Sequence, residues 1–163
     1  MRDLVAGLMA FALLLVAGSL ATTLHRYRRR RQRARDSERA LGRTIVAELP
    51  TAEDLVLFSE DDARFYYGDR AIDKEGITAV RVLINGSPIA AVAALRFAQQ
   101  QGQATSFDDR PEGIARDRWD VAIETVGGTV LVACGAIRER VSQELARMVF
   151  DAVKRDVERR NAG

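Results

Sequence analysis

Histidine, cysteine and lysine are nearly missing from this chain. His25 and Cys134 stand alone, and Lys74 and Lys154 are the only lysines against 23 arginines. A single cysteine excludes a disulfide framework within the chain and suits a reducing compartment. A single histidine, placed at the end of an apolar stretch, leaves the rest of the chain without a Ser/His triad or a histidine metal site. Neither G-x-x-x-x-G-K-[ST] nor G-x-G-x-x-G occurs, so nucleotide chemistry has no signature. No catalytic residue, cofactor or metal ligand is therefore expected, and most hydrolase designs are excluded. The arginine bias is that of a GC-rich bacterial genome.

Charge is also absent from residues 4–24, a run long enough as a helix to reach roughly 31 Å and match a hydrocarbon core. The expectation is a single-pass transmembrane helix over residues 1–24. Immediately after it come Arg26, Arg28, Arg29, Arg30, Arg31, Arg33 and Arg35, an excess that stays on the cytoplasmic side of a membrane. This predicts an inner-membrane protein with its N-terminus outside, a basic juxtamembrane linker and helix over 25–50, and a cytoplasmic domain over 51–163. A cleaved signal peptide fits less well, because Asp3 offsets Arg2 and the arginines would have to be exported. The arginines are topology determinants in this reading, and they also offer a surface to anionic lipid headgroups.

The formal charge of +2 conceals a split. Residues 1–49 carry ten Lys/Arg against four Asp/Glu, whereas residues 50–163 carry fifteen against nineteen. A mildly acidic domain has no general attraction to nucleic acid. In 35–49, Ala40, Leu41, Ile45, Val46 and Leu49 recur near helical spacing, and Pro50 ends that helix.

Leu55-Val56-Leu57-Phe58 has strand length, and after the turn at 59–63 the aromatics Phe65, Tyr66 and Tyr67 fall in a second strand over 64–72. Val80, Val82 and Ile84 alternate with Arg81 in a third. Asn85-Gly86 then suits a tight turn. The segment 88–101 is ambiguous: its alanines and Ser87-Pro88 favour a helix, while the preceding turn favours a return strand. Gly127-Gly128 supplies the turn of a hairpin between 119–126 and 129–134. Val141, Leu145, Met148, Val149, Ala152 and Val153 mark one face of a final helix, with Asp151/Arg155 and Asp156/Arg160 as pairs on its wet side. The fold class expected is α+β, a small antiparallel sheet with a C-terminal amphipathic packing helix.

Strands followed by a glycine-turn hairpin and one terminal helix resemble the bacterial pleckstrin-homology-like domains. The residues that carry the likeness are Ile77, Val80 and Val82 within 72–82, and the stretch 120–153. The resemblance implies that fold and a role in anchoring or protein interaction. Lipid-binding members of the family have a basic loop between the first two strands, and here that loop is Glu60-Asp61-Asp62.

The densest polar stretch surrounds Trp119, with Asp108, Asp109, Arg110, Arg116, Asp117 and Asp120. Loops of this kind hold binding residues on a rigid scaffold, so Asp108, Asp109, Arg110, Arg116 and Trp119 are candidate contacts. The functional expectation is a membrane-tethered, non-enzymatic interaction domain that docks to a membrane complex or to its own copy. The alternatives are an anionic-lipid sensor working through the arginines and a small carboxylate enzyme using the 108–120 loop.

Overall fold

The computed structural model describes residues 2–51, 55–95 and 117–162, with side chains from residue 15 onward and at Met9 and Leu13. Helix α1 (Arg2–Ala40) leads into strands β1 (Thr44–Pro50), β2 (Leu55–Glu60), β3 (Arg64–Tyr67) and β4 (Arg70–Asp73). A short 3-10 turn (Lys74–Gly76) follows, then β5 (Ile77–Ile84), β6 (Ser87–Ala93), β7 (Arg118–Thr125), β8 (Gly128–Ala136) and helix α2 (Arg140–Ala162). Every strand pairing among the described residues is antiparallel. The strands form two four-stranded sheets rather than one, in the orders β1-β2-β3-β4 and β6-β5-β7-β8.

The transmembrane helix expected over 1–24 is overturned: among the described residues no helix is long and apolar enough to cross a membrane. α1 runs unbroken through the arginines to Ala40. The single-pass anchor falls with that helix. Leu15, Val16, Leu20 and Leu24 are exposed.

Two further expectations are corrected. Residues 44–50 form strand β1, not the end of a helix, because Gly42 stops α1 first. Its φ of +74° is one that other residues reach only with strain. The Gly42 and Arg43 amides then donate to the carbonyls of Arg39 (2.9 Å) and Glu38 (3.1 Å), closing the helix end. The β-branched Thr44, Ile45 and Val46 continue as extended chain. The helix favoured for 88–101 is strand β6 as far as Ala93, and 96–101 lie outside the described residues. Pro88 is tolerated because β6 is an edge strand and Pro88 stands next to the turn. In that turn Asn85 (φ +52°) and Gly86 (φ +78°) join Ile84 to Ser87 in a two-residue hairpin whose twist matches its strands.

The core lies between the sheets and α2. Phe58 and Phe65 stack with ring centroids 5.6 Å apart. Leu49, Ile77, Val80, Val121, Ile123 and Val132 join them, and Leu145, Val149, Val153 and Val157 of α2 cover the cluster. Val141 and Met148, expected on that inner face, lie instead at its exposed margin. Asp156, expected on the wet side, is buried and held by Arg160 at 2.9 Å.

Candidate interaction groove

Because only three residues separate α1 from β1, the strand turns back along the last turns of the helix. Arg31 and Arg35, one turn apart on α1, converge on Glu48 of β1. Arg31 Nε donates to Glu48 Oε2 at 2.7 Å, a second Arg31 nitrogen reaches the same oxygen, and Arg35 Nε donates to Oε1. Burial works to raise the Glu48 carboxyl, but the hydrogen bonds and charges of Arg35 and Arg31 outweigh it and hold the group below its ordinary value. Glu38 adds a second tie, accepting from Ser59 Oγ of β2 at 2.6 Å and from Arg43 at 3.2 Å. The end of α1 is thereby fixed to the first sheet by side chains from three successive turns.

This fixation leaves an open groove of about 680 Å³ between α1 and α2, with β1 as its floor. Ile45, Val46 and Pro50 contribute the floor, Val141 and Met148 the α2 wall, and Tyr27, Arg31, Arg35 and Arg39 the α1 wall. A second cavity of about 690 Å³ shares Ile45, Val46 and Met148 and runs further along α2, past Asp151, Lys154 and Arg155. Val141 is 65 % exposed and Met148 42 %, so the apolar wall is open to solvent. One carboxylate serves two arginines at Glu48. Among the described residues, Arg28 and Arg39 have no ion-pair partner. The α1 wall is therefore positive beside an apolar α2 wall.

The arginines singled out in the sequence separate into two groups. Arg31 and Arg35 are committed to Glu48, while Arg26, Arg28, Arg29, Arg30 and Arg33 are exposed on α1 with no ion-pair partner among the described residues. Of the candidate binding loop, Asp108, Asp109, Arg110 and Arg116 lie outside the described residues. Trp119 belongs to β7, opposite Ile84 and Gly135, and packs against the core with its Nε1 buried and without a hydrogen-bond partner among the described residues. Its neighbour Asp120 is fully buried and raised by that burial, with Arg118 Nε 2.9 Å from Oδ2 working the other way.

The acidic turn is taken up internally. Asp61 accepts from the amides of Ala63 (2.8 Å) and Arg64 (2.7 Å) and from the Tyr66 hydroxyl (2.7 Å), which together hold its carboxyl below the ordinary value. Glu60 pairs with the buried Lys74 ammonium at 2.9 Å. Among the described residues no group of three or more His, Cys, Asp or Glu side chains could hold a metal ion. Cys134 is buried on β8, and burial pushes its thiol up to about 12, far from the thiolate that nucleophilic chemistry needs.

Arg39, Glu48, Val141 and Met148 were not readable as parts of one site. The Val141–Met148 spacing of two helical turns was visible, but it reads equally well as core. Comparison with known proteins adds no relative, since no family model, curated protein or solved structure matches the chain.

Proposed function

We propose that this chain is a non-catalytic interaction domain whose docking surface is the groove between α1, β1 and α2. The observation that carries the reading is the open apolar wall of Val141 and Met148 facing a wall of arginines across a β-strand floor. A groove between two helices, apolar within and charged at its margin, is a recurring way to hold a helical or extended segment of another protein. The likeness of 72–82 and 120–153 to bacterial pleckstrin-homology-like domains, with the anchoring or interaction role it implies, points the same way. The test is the full chain carrying Val141→Glu and Met148→Glu together, compared with Val126→Glu on the distant β7–β8 turn. The size of the native complex in cell extract is the readout. Loss of the complex with the groove variant alone is expected; an unchanged complex would overturn the reading.

A second reading rests on Arg26, Arg28, Arg29, Arg30 and Arg33, exposed and without ion-pair partners among the described residues. Such a cluster attracts an anionic lipid surface, at about 1 kcal/mol per arginine near the surface. Binding of the full chain to anionic vesicles that is lost in high salt supports it, and equal binding to neutral vesicles contradicts it. The carboxylate-enzyme alternative depends on residues 108–116, outside the described part of the chain.

A further inference from the structure

We infer that the groove's occupant is an acidic amphipathic peptide segment of a partner protein, aliphatic on one face and carboxylate-bearing on the other. The inference rests on the docking reading above and deepens it. Charge complementarity decides the chemistry. Residues 25–43 hold nine arginines against Asp36 and Glu38, and Glu48 takes up only one charge from the Arg31–Arg35 pair. Arg28 and Arg39, on the same basic side and without ion-pair partners among the described residues, are available to a ligand's carboxylates. A guanidinium accepts a carboxylate through two parallel hydrogen bonds, which fixes orientation as well as adding attraction.

The opposite wall selects the other half of the ligand. Val141 and Met148 are seven residues apart on α2 and stand on one helix face, two turns along. An incoming helix meets them with aliphatic residues at i, i+3, i+4 and i+7 while its other face turns carboxylates toward α1. Methionine suits such a wall because its unbranched, polarizable side chain adapts to varied partners. A basic segment would meet like charge on α1, and a purely polar acidic one would leave Val141 and Met148 in water.

The experiment uses the full chain and three fluorescent peptides of about 16 residues, long enough for four helical turns. One is an acidic amphipathic helix of leucine and glutamate, one is the same composition scrambled, and one has lysine for every glutamate. Binding is followed by fluorescence anisotropy at ~20 mM and ~500 mM salt. The amphipathic acidic peptide is expected to bind at least about tenfold more tightly than the scrambled one, and to lose about tenfold on Met148→Glu, the size of effect typical of a central interface residue. Arg39→Gln is expected to weaken it and to flatten its salt dependence.

Equal affinity for the acidic and scrambled peptides would overturn the inference by showing mere charge attraction. Indifference to Met148→Glu would overturn it by placing the peptide elsewhere. Tightest binding by the lysine peptide would do so by inverting the charge. Sedimentation of the full chain separates the remaining occupant, since a dimer that dissociates on Met148→Glu would show the groove to be filled by a second copy. If the peptides fail while Val141→Glu with Met148→Glu still disrupts a cellular complex, the acidic segment is wrong and the docking surface stands. If both experiments fail, both readings fall.

Discussion

Arg31 Nε lies 2.7 Å from Glu48 Oε2, across seventeen residues of sequence, and this contact ties α1 to the first strand of the domain. With Arg35 on the other carboxylate oxygen, Glu48 joins two arginines of α1 to β1 at the edge of the groove that all three line.

Replacing Glu48 with Gln keeps the shape and removes the charge that both arginines share. The substitution is expected to cost about 1 kcal/mol in denaturant unfolding, the upper range for a partly exposed ion pair. Because the folded carboxyl lies below its ordinary value of 4.5, its contribution is fully present above that value and is lost as the pH falls through the folded value. The gap between the native chain and Glu48→Gln should therefore close progressively below about pH 4.5. A gap that widens toward acid would contradict the assignment.

Asp120 predicts the opposite slope. Its folded carboxyl is raised by burial above the ordinary value of 3.8, so in the window above that value the native state holds its proton more tightly than the unfolded chain. The stability of the native chain relative to Asp120→Asn should fall as the pH rises through that window. Paired unfolding curves between about pH 3 and pH 7 measure it.

Gly135 adopts φ +113°, and a Cβ built there would overlap Ser142 Oγ and lie 3.2 Å from Ser142 Cβ. Gly135→Ala should destabilise the chain by about 1–3 kcal/mol, combining backbone strain with this collision. Adding Ser142→Gly should recover the steric part, so the double variant is expected to be more stable than the two single losses summed. Strict additivity in a double-mutant cycle would show that the two residues do not press on each other.

Cys134, with its thiol near 12 and its side chain sealed under α2, should resist a thiol reagent at pH 8 until the chain unfolds. The native protein should show no rapidly reacting thiol and the denatured protein one. Rapid native labelling would contradict the position assigned to β8.

The strands and the C-terminal helix were legible where pattern and local chemistry agreed. Val80, Val82 and Ile84 alternate, Asn85-Gly86 accepts positive φ, and Leu145, Val149 and Val153 return at helical spacing. Ile45, Val46 and Leu49 also match a helical period, and only the stop at Gly42 decides for strand. The alanines of 90–94 favour helix on intrinsic propensity, but pairing with β5 overrides that preference. The apolar stretch read as a membrane helix illustrates a third limit. Composition describes a segment one residue at a time, whereas α1 is one helix that carries its arginines into contact with Glu48. The groove was the least legible part. It depends on Arg31, Arg35, Glu48 and Met148 meeting from three elements, and no local pattern records such a meeting.

If a partner protein occupies the groove, a photo-crosslinking amino acid placed at Met148 of the full chain should capture it in living cells. The control is the same substitution at Val126, which is 71 % exposed on the far turn. A discrete crosslinked species is expected from position 148, absent from position 126 and abolished when Val141→Glu is added. No crosslink at 148, or identical products from both positions, would contradict it.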